Sequence, residues 1–98
     1  NMEEAAFSAE GMKQIATRGL TLLFDVARVP GGMVAFDRFV EFTRVLADAL
    51  SAGIVDDNRQ PLDDAGLGKI RAQLQGLYAS MEQQGIPAGS PLALRLFS

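Results

Sequence analysis

The sequence predicts an all-α fold: a three-helix bundle, completed by homodimerisation, with an extended apolar C-terminal tail. Apolar residues recur at steps of three and four through long segments, as on one face of a helix. Gly and Pro follow these segments, where helices stop. The 98 residues are 48% apolar, which is more apolar surface than one small core readily buries. We therefore expect a helical bundle domain over residues 2–87 and an extended tail over residues 88–98.

The first predicted helix runs from about Glu3 to Arg28. Its apolar face consists of Met12, Ile15, Ala16, Gly19, Leu23, Val26 and Ala27, widened by Leu20 and Phe24. Every second residue from Leu20 to Val26 is also apolar, so a strand over Leu20–Val29 is the alternative. The helix is favoured because Ala, Met, Gln and Lys precede this stretch without a break. Pro30 and the two glycines after it end either structure.

The second predicted helix spans Met33 to Ala52. One side is apolar apart from a single threonine, and consists of Phe36, Phe39, Val40, Thr43, Leu46, Ala47 and Leu50. The solvent side is charged, and consists of Asp37, Arg38, Glu41, Arg44 and Asp48. We expect Gly53 to end the helix in the left-handed conformation, with the apolar Ile54 just beyond it.

The third predicted helix runs from Asp64 to Gly85 and has two different faces. Large apolar residues form a seam of Leu67, Ile70, Leu74, Leu77 and Met81, with Tyr78 at its rim. Small residues form a stripe of Ala65, Gly68, Ala72, Gly76 and Ala79 on roughly the opposite side. Each interior Gly costs about 1 kcal/mol relative to Ala, so we expect another backbone to pack on the stripe. That backbone belongs either to the first helix of the same chain or to a second copy.

The ends of this helix carry local signals. Asp63 or Asp64 is expected to cap its start, and Gly85-Ile86-Pro87 to stop it. Residues 54–62 before it form a loop with Asp and Asn turn chemistry.

The tail after residue 87 begins with a flexible Gly89-Ser90-Pro91 joint. Leu92, Leu94 and Leu96 then alternate as in a strand, which suits addition to a sheet edge or insertion into a groove. The alternatives are a disordered tail and a tail that covers the core of its own domain. The predicted partner interface combines the small-residue stripe, one phenylalanine off the main apolar face, and the tail: Gly68, Ala72, Gly76, Ala79, Phe42, Leu92, Leu94, Leu96 and Phe97.

The charge pattern excludes several classes of partner. The net charge is −3 and the nine basic residues are scattered, which argues against nucleic acid and against an anionic membrane surface. The sequence has no Cys and no His, which removes disulfides and the commonest metal ligand and general base. No apolar segment reaches the roughly 20 residues of a membrane span, and the acidic N-terminus is unlike a secretory signal. We expect a cytoplasmic protein.

The acidic residues do not form a recognisable site. In a calcium loop starting at Asp56, Pro61 stands where Gly is required and Leu67 where a bidentate Glu is required. Neighbouring carboxylates such as those of Asp63 and Asp64 are expected to be solvated helix caps. No residues qualify as catalytic, metal-binding or cofactor-binding, so no cofactor and no enzymatic activity are predicted.

The predicted function is therefore that of a non-enzymatic interaction protein. It would be a small acidic chaperone, adaptor or regulatory subunit that binds a protein partner, a second copy of itself, or both, through apolar helical surface. The alternative is a binder of a small apolar ligand in a helical pocket lined by Phe36, Phe39, Leu46, Leu74 and Met81.

Overall fold

The computed structural model describes residues 19–97, and over this range the protein is helical, without β-strands. It contains α1 (Met33–Ala49), α2 (Asp64–Gln83) and α3 (Pro91–Leu96). The predicted all-α class is confirmed, while completion of the bundle by a second copy stays a prediction. Residues 3–18 of the first predicted helix lie outside the described range. Within that range, each helix is too short or too polar to cross a lipid bilayer.

The prediction that the first helix continues to Arg28 is wrong for the described residues. Residues 19–25 form neither a helix nor a strand, and from residue 21 to residue 25 exposed and half-buried side chains alternate, as in an extended segment. Turns follow from residue 26 to residue 32. Asp25 organises the turn: its carboxylate accepts the N–H of Arg28 at 3.1 Å, and its carbonyl accepts the N–H of Val29 at 3.1 Å. Helical propensity is a weak preference, and here the contacts made by the alternating side chains override it.

Helix α1 buries the predicted apolar side. Phe36 is buried, and the other predicted members of that side are half-buried, while the predicted charged side is exposed. The helix ends at Ala49, three residues before the predicted end, because Ser51 adopts the left-handed conformation in place of Gly53. Two hydrogen bonds close this end, from the N–H of Ser51 to the carbonyl of Asp48 and from the N–H of Ala52 to the carbonyl of Ala47. This pair of bonds is a Schellman motif.

The loop between α1 and α2 is a compact turn built around Asp56. Its Oδ1 accepts the N–H groups of Asn58 and Gln60 at 2.8 and 2.9 Å. The N–H of Leu62 donates to the carbonyl of Ile54 at 3.0 Å and closes the base of the turn. The predicted turn chemistry is confirmed, because the Asp56 carboxylate stabilises the turn by accepting two backbone N–H groups.

Helix α2 begins and ends as predicted. The carboxylate of Asp63 caps it by accepting the N–H of Gly66 at 2.8 Å. Gly85, with φ of 73°, ends it, and the N–H of Ile86 donates to the carbonyl of Met81 at 2.9 Å. Both signals depend only on neighbouring residues, which explains why the sequence reveals them.

The seam of α2 needs one correction. Leu77 is 48% exposed and the next residue, Tyr78, is only 7% exposed, so Tyr78 is a core residue rather than a rim residue. Tyr78 lies four residues after Leu74 and three before Met81, the spacing that keeps side chains on one helical face. The other seam residues are half-buried or buried, as predicted.

The predicted extended tail is also wrong, because residues 91–96 form α3. Ser90 caps this helix by accepting the N–H of Ala93 at 3.2 Å, and Pro91 occupies its first turn. A Ser cap followed by Pro is a helix-start signal that outweighs the alternation of three leucines. Ala93 is completely buried, so α3 is docked on the chain itself.

The core of the described chain is one cluster at the C-terminal end of α2, which we call the closed cluster. Tyr78, Met81 and Ala93 are its buried members. Its half-buried members are Phe24, Val26, Ala27, Met33, Leu74, Ile86 and Ala88. Residues 24–27, α1, α2 and α3 all contribute side chains to the closed cluster. The cluster therefore holds these four parts of the chain together.

Candidate protein-interaction surface

The extended segment over residues 19–25 presents two faces, because successive side chains of an extended chain point in opposite directions. Leu22 and Phe24 are half-buried, whereas Thr21, Leu23 and Asp25 are exposed. Leu23 is 90% exposed, the largest value among the exposed large hydrophobic residues of the described chain. Single exposed apolar side chains are ordinary on protein surfaces, so the exposure of Leu23 does not by itself mark a contact surface.

Aromatic contacts fix the inward face of this segment. The ring of Phe24 lies 5.6 Å from the ring of Phe36, edge to face at 78°. The same ring lies 5.2 Å from the ring of Phe39, tilted by 43°. Aromatic pairs at these distances contribute about 0.5–1.5 kcal/mol beyond the area they bury. Phe24 therefore anchors the segment on α1 and directs Leu23 away from it.

The backbone of this segment makes few internal contacts. No other part of the 19–97 range hydrogen-bonds to the backbone of residues 20–24. The first backbone bonds come at the turn, where the carbonyls of Asp25 and Ala27 accept N–H groups. Among the described residues, the packing of Phe24 on α1 is the contact that orients the segment.

An apolar cleft opens beside the segment, at the end of the α1–α2 pair opposite the closed cluster. Its volume is about 530 Å³. The segment contributes Leu20 and Leu22, and α1 contributes Phe36, Phe39, Val40 and Leu46. The loop and α2 complete it with Ile54, Val55, Leu62, Leu67 and Ile70. We call this feature the open cleft.

The structure does not assemble the apolar pocket predicted from the sequence. Phe36, Phe39 and Leu46 line the open cleft, whereas Leu74 and Met81 belong to the closed cluster. The five residues lie along the same apolar sides of the helices but at different ends of the pair. Periodicity assigns a residue to a side of a helix and says little about which neighbour covers it.

The predicted interface residues are all exposed. The four stripe residues on α2 are open, and an added side-chain carbon at Gly68 or Gly76 would have no described atom within 4 Å. Phe42 on α1 is exposed as well, as are the tail residues Leu92, Leu94, Leu96 and Phe97. The structure leaves these residues at the surface, and their role as an interface stays a prediction.

Sequence reasoning missed Leu23 because it assigned this residue to the inner face of a helix. The alternation of Leu20, Leu22 and Phe24 carried the necessary signal. In a period of two, Leu23 falls opposite those residues and therefore outward.

Two ion pairs join the exposed edges of α1 and α2. The guanidinium of Arg71 donates to both carboxylate oxygens of Asp37, at 2.9 and 3.0 Å, and Arg44 donates to Asp64 at 2.7 Å. The hydrogen bonds from Arg71 lower the pKa of Asp37 below its ordinary value. The order of the two pairs along the helices shows that α1 and α2 run antiparallel. Because both pairs are exposed, they contribute little to stability.

Tyr78 is the one buried polar side chain without a partner in the described range, where its hydroxyl accepts and donates no hydrogen bond. Burial raises the pKa of this phenol, and the nearby charge of Asp25 raises it further. Within residues 19–97 no group of three acidic side chains is arranged to hold a metal ion.

The described residues form a helical fold with a leucine exposed on an anchored segment. Comparison with known families assigns the chain to one of them. Residues 1–73 match the family described as ZipA, C-terminal FtsZ-binding domain. The match spans most of the 98 residues, so the chain belongs to this family. No curated protein and no solved structure matches the chain. The family is defined by binding a protein, which agrees with the prediction of a non-enzymatic interaction protein.

Proposed function

We propose that this chain binds FtsZ through the outward face of residues 19–25, with Leu23 at the centre of the contact. The observation that carries the proposal is membership of a family described as an FtsZ-binding domain. In this proposal, the predicted chaperone, adaptor or regulatory role consists of binding FtsZ.

The position of Leu23 supports its central role. The family match covers residues 1–73, and Leu23 is the most exposed large apolar residue that the structure describes there. Thr21 and Asp25 flank it on the same face and are exposed. An apolar centre with a polar rim is the usual composition of a protein interface. Phe24 holds the segment in place beforehand, which reduces the ordering cost of binding.

Titration of purified FtsZ against the chain by isothermal calorimetry tests the proposal. We expect saturable binding, and we expect Leu23→Ser to weaken it by about tenfold or more, as removal of a central apolar anchor commonly does. The variant should keep the stability of the parent within about 0.5 kcal/mol, because exposed positions tolerate substitution.

Val45→Ser is the matched control, since Val45 is also an exposed apolar residue, 63% accessible, but lies on α1. Its affinity for FtsZ should equal that of the parent. Absence of binding by the parent chain would refute the function. Equal binding by Leu23→Ser and the parent would refute the assigned surface while leaving the function in place.

A second copy is the other partner that the sequence predicts, and we propose the small-residue stripe of α2 and the apolar tail as its contact surface. The exposure of both features in the described chain supports this assignment. Light scattering at low micromolar concentration should give twice the chain mass, and Gly76→Leu should return it to one. A monomeric parent protein would contradict the homodimer.

Binding of a small apolar ligand is the second candidate function, and the open cleft favours it. Its volume of about 530 Å³ falls within the range of ligand pockets. A thermal-shift series with hydrophobic metabolites tests it: Phe39→Ala should abolish any stabilisation that the parent shows. A series without any stabilising compound would argue against this function. We also keep the predicted cytoplasmic location as a proposal.

A further inference from the structure

The C-terminal segment, residues 86–97, lies beyond the part of the chain that matches the family. That match ends at residue 73. Even so, the segment contacts the turn that follows the Leu23 face. Its packing is therefore a feature of this chain that the family assignment does not explain.

The first contact joins two backbones. The N–H of Gly89 donates to the carbonyl of Ala27 at 2.8 Å. A side-chain carbon at Gly89 would lie 2.6–2.8 Å from the Cβ, Cα and N atoms of Pro30, closer than such atoms can approach. Gly89 also has φ of +77°, a conformation that glycine adopts without strain. Only glycine allows the two backbones to meet here.

The second contact lies in the closed cluster. Ala93 is fully buried there beside Tyr78 and Met81, and Phe24, Val26 and Ala27 pack against the same group. The C-terminal segment thus supports the inward side chains of the residues that follow Leu23. Within the described range, this support and the aromatic contacts with α1 hold the segment.

We propose that the C-terminal segment is a positioning element for the FtsZ-binding face. It clamps residues 24–30 through the contacts of Gly89 and Ala93, and Leu23 is thereby fixed in its outward orientation. Gly89 and Ala93 are the positioning residues, and neither contacts FtsZ. The inference rests on the proposed function for its binding consequence, while the clamp itself is measurable without FtsZ.

The decisive comparison is between Gly89→Ala and Gly85→Ala. Both glycines have a positive φ, +77° and +73°, so both substitutions carry a similar backbone cost. A side-chain carbon at Gly85 meets no described atom within 4 Å, whereas one at Gly89 collides with Pro30. The difference between the two variants therefore isolates the contact with the turn.

We expect amide hydrogen exchange of Arg28 and Val29, whose N–H groups donate to Asp25, to accelerate about tenfold in Gly89→Ala relative to Gly85→Ala, with α1 protected equally in both. We expect the affinity for FtsZ to fall about fivefold or more in Gly89→Ala only, because a loosened segment must be ordered on binding. Equal exchange in the two variants would overturn the clamp, whether or not FtsZ binds.

Ser90→Ala covers the case in which Gly89→Ala fails to fold. It removes the cap of α3 while leaving the contact between Gly89 and Pro30 sterically intact. Exchange at Arg28 and Val29 should rise by a smaller factor, and the FtsZ affinity should fall by a smaller factor. Unchanged exchange in this variant would overturn the proposal. A parent chain that fails to bind FtsZ would refute the proposed function and leave the exchange result to decide the clamp.

Discussion

The two ends of the α1–α2 pair carry similar apolar side chains. At one end these side chains pack into a cluster, and at the other they line an open cleft. At one end, Leu74, Tyr78 and Met81 of α2 meet Met33 of α1 beneath α3, and the result is the closed cluster. At the other end, Leu67 of α2 faces the apolar side of α1 across the open cleft. The difference lies in what covers each end, since α3 packs on the first and no described helix packs on the second. Within the described range, an apolar face of the helix pair forms a core where α3 covers it.

The same comparison separates structural from functional apolar residues. Those at the closed end are committed to holding four parts of the chain together. Those near the open end include Phe24 and its aromatic partners, which support a segment whose outward Leu23 remains exposed. Stability should accordingly depend most on the closed end, and binding most on the segment beside the open end.

Met81→Ala should give the largest effect on stability. Met81 is 4% exposed and touches the centre of the closed cluster. Truncating a buried methionine leaves a cavity and costs about 2–5 kcal/mol. The free energy of unfolding from urea denaturation measures it. A loss below about 1 kcal/mol would show that the closed end is loosely packed and would remove the contrast between the two ends.

Leu74→Ala and Leu67→Ala test the contrast directly, since the same substitution is made on the same face of α2 two turns apart. Leu74 packs on the closed cluster, and Leu67 lines the open cleft. We expect Leu74→Ala to cost about 2 kcal/mol or more, and Leu67→Ala to cost about 1 kcal/mol less than that. Equal losses would show that something covers the open cleft in solution.

Tyr78→Phe tests how completely the closed end excludes water. The hydroxyl has no described partner, so its removal should raise the free energy of unfolding by about 1 kcal/mol. In the parent, the raised pKa of Tyr78 means that folding favours the neutral phenol. The stability that the neutral phenol contributes is fully present below its ordinary pKa of 10.0. It is lost as the pH rises through the higher pKa of the folded state. The Phe variant should lack that alkaline loss, and an identical pH profile would place the hydroxyl in water.

Gly76→Ala extends the comparison to the back of α2 and should have the smallest effect. No described atom lies within 4 Å of the added carbon, so Ala should stabilise the helix by up to about 1 kcal/mol. Gly66→Ala is the control, because its added carbon lies 3.0 Å from Cδ1 of Leu62 and the gain should be smaller. The melting temperature measures both. A loss of stability in Gly76→Ala would show that another backbone packs on the stripe.

The sequence by itself determined the parts of the structure that neighbouring residues control. The apolar side of α1, the Asp63 cap, the Gly85 stop and the Asp56 turn were predicted correctly. Each depends on helical periodicity or on hydrogen bonds that span at most five residues. Such signals depend only on residues close together in the sequence, so they can be predicted without the rest of the fold.

Tertiary structure decided what covers each face. It made residues 19–25 extended, turned Leu23 outward, buried Tyr78 in place of Leu77, and folded the tail into α3. In each case the local pattern allowed more than one outcome, and contacts between residues distant in sequence accompany the one observed. Phe24 with Phe36, and Gly89 with Ala27, are such contacts. Periodicity records which side of an element is apolar, while the identity of the neighbour that covers it arises only when the chain folds.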